Sequence, residues 1–598
     1  MADDQKKILP INYTHREFQS IRQDLLQLAE RYYPENFQDF SEASFGALML
    51  DAVAYVGDQL SLYLDYNVNE SFLDTAYQLN NVVRHGRVLG YKNPGRPSTH
   101  GIAAIYVQVP ATTTGMGPDT QYIPTMLRGS TFTSDNGLAF VLTENILFSE
   151  PSNQIVVSQV DSISGSPTYY AIKAYGNVVS GRFAQEQIIV GAFERFKRIR
   201  IANRNLSEVI SVFDSEGNQY YEVEYLAQDM VFKELANHNY KSDNVPSILK
   251  PMLVSRKFIV ERDTTDTYLQ FGSGNEAESN VVANPQQVAI DVFGKSYVTD
   301  TTFDPTRLSK NKNYGICPAN TTLTITYRTT NPANSNVAVG SLNSISTVLF
   351  DFEDRSSLSG LNVQAVIDSA EISNETPIVG SVAEPSTAEI KRRIFDTFPT
   401  QNRAVTQSDY ENLAYRMPGK YGSLKRVGIQ KDQNSLKRNL NMYVISEDSF
   451  GMLIKTNPTI KNNLKTWLEQ YRMINDTVDI LDPHIIDIGI DFVIKTAPGA
   501  ARTDTLNAAI MALTLKYEES FFIAESLSIS SIYSTLSQVG GVLDVVTVKL
   551  HNKLGGSYSS VSFNVQKNLS PDGSSLVAPA NAIFQIKYPS VDIRGKVR

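Results

Sequence analysis

The stretch Ser41–Tyr91 reads SEASFGALMLDAVAYVGDQLSLYLDYNVNESFLDTAYQLNNVVRHGRVLGY. Apolar side chains recur at Phe45, Leu48, Met49, Ala52, Val53, Val56, Leu60, Tyr63 and Leu64. Steps of three and four place them on one stripe of an α-helix. Ser41 and Ser44 each offer a hydroxyl to the orphan amides at its start. A second helical run carries Phe72, Leu73, Ala76, Leu79, Val82, Val83 and Leu89, and Gly90 suits its end. At 1.5 Å per residue the first helix is about 35 Å long. Helices this long and one-sided are not stable alone, so the apolar face must be buried on other protein, in this chain or another. The residues expected at that interface are the nine of the first stripe with Phe72 and Leu73.

Upstream, residues 1–40 begin as an arm. Phe18, Ile21, Leu25, Leu26, Leu28 and Ala29 then mark a short amphipathic helix that stops before Pro34. Downstream, NPGRPSTHG at 93–101 is a loop signal and a boundary. From Ile102 to about Arg328 short alternating runs predict a β-sandwich or a pair of β-rich subdomains, with Ser215–Asn218 as a hairpin loop. From Ala383 helices and strands mix: a helix over Ser386–Phe398, then a capping box at Thr406 and Asp409. An order of β-β-α-β-α-α-β follows, which predicts helices over one face of a mixed or antiparallel sheet. The fold class expected is multidomain α+β: N-terminal long helices, β-rich middle domains and a C-terminal α/β domain. The segments are 1–95 (helical assembly region), 96–345 (β-rich), 346–382 (linker), 383–550 (α+β dimerisation domain) and 551–598 (extension).

The chain has 598 residues, 42% of them hydrophobic and 10% aromatic, enough for several cores. Its net charge of −9 is spread thinly and gives no general reason to bind nucleic acid. The single cysteine, Cys317, rules out an internal disulfide or a cysteine-rich zinc site. The N-terminus lacks the apolar core of a signal peptide, and no apolar run reaches the about 20 residues of a membrane span. Folding in a reducing cytoplasm is expected.

Catalytic motifs are missing. The six histidines, His15, His85, His100, His238, His484 and His551, show no metal-ligand spacing. Gly272-Ser273-Gly274 is followed by Glu276 and Glu278, which would repel a phosphate, so a turn is the better reading. Asp351, Glu353 and Asp354 could hold a cation, although a solvated loop is the plainer account. Arg195, Lys197, Arg198, Arg200 and Arg204 alternate with Phe196, Ile199 and Ile201, a strand with one wet face. An acidic face on a protein partner suits that run better than nucleic acid does. Asp58 and Asp65 flank the helix stripe, either wet or paired across an interface. Neither catalytic residues nor a cofactor or metal is expected, and the protein is expected not to be an enzyme.

Several blocks resemble the baseplate J-like proteins of contractile phage tails, and among them the large baseplate wedge proteins of T-even-like phages. They are the opening stretch, Phe193–Phe232, LTITYRTTNPANSNVAVGSL, Ala383–Val427 with Arg403-Ala404-Val405-Thr406 leading into Asp409-Tyr410, and the strand Gly541–Val546. Beyond about Asn552 the pattern departs from the family. The resemblance implies a structural role, with copies pairing into a ring around a central hub. It implies N-terminal helices joined to a smaller bundle-forming wedge subunit, C-terminal domains meeting as dimers, and contacts with hub-proximal and sheath-initiating proteins. It also implies a virion location, assembly in the host cytoplasm, and a conformational change that triggers sheath contraction and genome ejection. Asn93–Gly101 and Asp351–Ala383 are the expected hinges, and neither nucleic acid nor membrane insertion enters. The alternative from another class is a tailspike-like glycan-binding or glycan-cleaving protein, which the β-rich middle and the 30 tyrosines would suit. A repeated solenoid period, which would favour it, is not found.

Overall fold

A computed structural model describes residues 16–32, 44–163, 165–236, 247–263, 266–274, 314–330, 334–432, 439–518 and 521–598. The chain is a multidomain α+β protein that divides into two compact units: Met1–Tyr91 with Pro385–Phe395, and Lys92–Glu384 with Asp396–Arg598.

The first unit is helical. Among the described residues its helices are α1 (Phe18–Tyr32), α2 (Phe45–Glu70) and α3 (Leu79–Val88), joined by the first turns of Thr387–Thr400. Ser44 caps α2 by accepting from the Ala47 amide at 3.1 Å. Ser41 lies outside the described residues. The second helical run begins later than its apolar spacing predicts, because residues 71–78 form turns before α3 starts. Glu70 is the reason. Its buried carboxylate accepts from the Tyr77 amide at 2.8 Å, the Gln78 amide at 3.1 Å and the Asn81 side chain at 2.8 Å, tying the turn back on the helix end. Ala76, Val82 and Tyr91 form a small core with Ile394, which the distant segment Pro385–Phe395 supplies.

The second unit opens with two seven-stranded sheets. In the first, His100–Pro110 pairs antiparallel along its whole length with Pro167–Ser180. Ile105, Val107, Phe132, Phe140, Ile172 and Val178 fill its core. The second sheet packs Ile201, Val212, Leu269, Phe271, Leu323 and Ile325. Its Leu206–Phe213 and Gln219–Glu222 are the predicted hairpin, with Asp214 accepting at the turn and Gly217 at φ +85°. Two smaller sheets follow. Arg426–Lys431, Asn439–Glu447 and Leu453–Lys455 are antiparallel, with Thr477–Leu481 added in parallel. His484–Thr496 pairs antiparallel with Val542–Asn552 and parallel with Ala582–Gln585 and Ile593–Val597. The capping box forms as predicted at Thr406 and Asp409.

Four expectations change. The single C-terminal sheet is two, because Ile460 and Leu464 pack one core while Ala509 and Leu513 pack another. The expected linker 346–382 is built into the first sheet: Ile372 pairs with Ile105, and the helix Gly360–Asp368 buries Val363 and Val366. The expected extension 551–598 supplies two strands of the last sheet and its buried Ile583, Phe584 and Ile593. The expected hinge Asn93–Gly101 is likewise tied down. Ser98 and Thr99 are fully buried, the Ser98 amide donates to the Gly419 carbonyl at 2.8 Å, and the Thr99 amide donates to Ser180 Oγ at 2.9 Å.

A candidate interface on the N-terminal helices

Helix α2 has one occupied face. Ala47 and Ala54 are buried, and a Cβ added at Gly57 would meet Ile21 of α1 at 3.3 Å. Small side chains let the two helices approach closely. Asp51, Asp58 and Asp65 recur every seven residues, so they share a line along the helix. Asp51 accepts from Arg22, and Asp65 from Arg16. N-terminal Arg16 meets the later aspartate and Arg22 the earlier one, so α1 runs antiparallel to α2. Asp65 is therefore satisfied within its own chain.

The rest of α2 is open. Phe45, Leu48, Met49, Ala52, Val53, Val56, Leu60, Tyr63 and Leu64 are all exposed, several by more than half. Phe72 is exposed too, whereas Leu73 packs against the small core of Ala76 and Ile394. The apolar surface is wider than the predicted stripe. Tyr55, Leu62, Tyr66 and Val68 are exposed as well. Leu48, Tyr55 and Leu62 are seven apart and form a second line, the signal that a search for one stripe passes over. Taking side chains of about 150–250 Å² each, about half exposed, the patch is on the order of 1,000 Å², beyond the few hundred Å² usual on a monomer. A helix apolar on nearly every side belongs inside something. No described helix is long and apolar enough to cross a membrane. The chemistry this surface offers is dry contact with another apolar helix or sheet.

The base of α2 is rigid. Hydrogen bonds, led by that from Asn81, hold the Glu70 carboxyl below its usual range. His85 Nε2 donates to the Glu70 carbonyl at 2.8 Å. Lys391 donates to the Asp74 carbonyl at 2.8 Å.

The other candidates disperse. Within the basic run, Ile199 and Ile201 are buried as predicted, but the charges are answered at home. Arg198 pairs with Glu261 at 2.8 Å, Arg200 with Asp266 at 2.9 Å, and Lys197 with Glu194 at 3.7 Å. Asp351, Glu353 and Asp354 are exposed, and the described residues contain no group of three metal-ligating side chains. Gly272 serves close backbone packing: a Cβ there would sit 2.1 Å from the Gly315 carbonyl oxygen. Glu276, Glu278, His15 and His238 lie outside the described residues.

No curated protein matches the chain. Among solved structures, it is similar to a chain of the anti-feeding prophage (AFP) baseplate at 9% identity and TM-score 0.25, covering 94% of this chain and 89% of that one. It is also similar to a chain of the type VI secretion system TssK-TssF-TssG baseplate subcomplex at 9% identity and TM-score 0.21, covering 73% and 96%. Scores this low carry no argument about fold. Residues 15–88, which hold α1, α2 and α3, match the family model described as bacteriophage baseplate protein, N-terminal domain.

Proposed function

We propose that the chain is a structural subunit of a contractile-tail baseplate and that α2 is the helix by which it is built in. The observation that carries this is the apolar surface of α2, lying in the segment that matches the baseplate N-terminal model. The finer reading is a wedge protein of a phage tail, present in the virion. Its copies pair and close into a ring around the hub, and α2 joins a bundle with a second copy or a smaller wedge subunit. In that reading the ring passes on the rearrangement that sets off sheath contraction.

The test is Val53→Asp and Val56→Asp in the full chain, with assembly followed by size exclusion and co-purification. Both positions are exposed in the isolated chain, so the variants keep its circular dichroism and thermal transition. They fail to enter the complex, because an aspartate in a dry contact costs several kcal/mol, roughly. Variants that assemble like the parent would remove α2 from the interface.

A further inference from the structure

The first sheet carries one strand unlike its neighbours. Among the described residues, Gln154–Val160, sequence QIVVSQV, pairs only with Pro167–Ser180, and all seven of its residues are exposed. It carries no charge. Other long edge strands do: Arg182 and Glu186 on Arg182–Val190, Asp479 on Thr477–Leu481, Asp544 and Lys549 on Val542–Asn552. Leu342–Thr347 is uncharged but shorter, and two register shifts break its pairing. Charges and bulges on an edge keep strange strands away. Gln154–Val157 has neither: its register is regular, and both shifts of the strand come after Val157.

The strand also extends an apolar face. Ile155 lies opposite Ile172 and Val157 opposite Tyr170, and Val107 lies opposite Ile172 on the far side. Ile172 and Val107 belong to the buried core, so Ile155 and Val157 are that core's uncovered rim. An occupant must therefore be an extended strand, uncharged and apolar at alternate positions.

We propose that the occupant is the same strand of a second copy of this chain, added antiparallel across a two-fold axis. Centred on Val156, the pairing sets Ile155 against the mate's Val157 and Val156 against its own mate. Ile155, Val156 and Val157 are covered, and no charged residue lies within the paired strands. A strip this small falls short of the about 1,200–2,000 Å² of a standard interface, so pairing depends on concentration. It stands apart from the role proposed for α2.

The native chain favours a direct test, because its one cysteine, Cys317, is buried. Antiparallel partners sit about 4.5–5.5 Å apart between Cα atoms, within reach of a disulfide. Val156→Cys in the full chain, oxidised mildly and run without reductant, should give a cross-linked dimer at least tenfold faster than Met116→Cys, a control in an exposed loop. Adding Ile155→Lys should cut that yield at least tenfold, while Val56→Asp leaves it unchanged. Three results would each overturn the proposal: Val156→Cys cross-linking no faster than the control, insensitivity to Ile155→Lys, or loss of the cross-link in the Val56→Asp background. Both changes on the strand are at exposed sites, so an unaltered thermal transition confirms that the fold is intact.

Discussion

Arg328 and Glu208 face each other across paired strands, and the buried guanidinium donates to Glu208 Oε2 at 3.1 Å. Arg328 also donates to the Ser180 carbonyl at 2.6 Å and to Ser98 Oγ at 3.0 Å. One side chain thus holds the second sheet to the first and to the chain entering it. Burial pushes the guanidinium pKa down, and Glu208 opposes that push. Glu208→Ala leaves the cation without its counter-charge and destabilises the second unit by about 2–3 kcal/mol, less than for a wholly buried pair because Glu208 is partly wet. Trp467, the only tryptophan, lies in this unit, so its fluorescence in a denaturant titration reads the loss.

His100 should make the same unit sensitive to acid. Its ring is buried and its Nε2 donates to the Lys420 carbonyl at 2.9 Å. Burial moves its pKa from 6.5 down to about 4, with Arg328 adding to the fall and Glu208 resisting it. Between those values the unfolded chain takes up a proton that the folded one refuses. Stability from this residue is complete above pH 6.5 and drains away as pH falls to 4, by up to about 3 kcal/mol. His100→Asn lacks that dependence, so the difference between the two chains' denaturation midpoints should shrink or change sign on acidification.

The Glu70 anchor has a local readout. Glu70→Ala frees the Tyr77 and Gln78 amides, and hydrogen exchange at both should quicken at least tenfold while α1 is unaffected. Acid should do the same to the parent. The carboxyl pKa is depressed, so its hold is full above the unfolded value and is lost as pH falls through the folded one.

Packing in the small N-terminal core is tight at Gly86, where a Cβ would approach Ile394 Cδ1 to 2.8 Å. Gly86→Leu should cost about 1–3 kcal/mol. Ile394→Ala opens the space that leucine needs. The double variant should therefore be more stable than the two single losses imply, by about 0.5–3 kcal/mol in a double-mutant cycle read by thermal unfolding.

Much of the fold was legible where the cause is local. Ser44, the Thr406–Asp409 box and the Asp214–Asn218 turn each act within a few residues, and their geometry follows from residue type. What escaped depends on distant partners. Ile372 reads as linker until Ile105 is beside it, and Ile593 as a tail until Ile490 is. Arg200 reads as an open cation until Asp266 folds back on it. On α2 the exposed apolar surface is wider than one periodic stripe, because Leu48, Tyr55 and Leu62 repeat on their own line beside it.

The first unit is closed by Ile390 and Ile394, which come about three hundred residues after Tyr91. At about 5–20 residues per second, a ribosome needs on the order of 15–60 s to make the intervening chain. Through that interval α3 has no Ile394 to pack against, and α2 already shows its greasy surface to the crowded interior of the cell. Timing, as much as affinity, then decides what reaches that helix first: a chaperone, an aggregate or its proper mate.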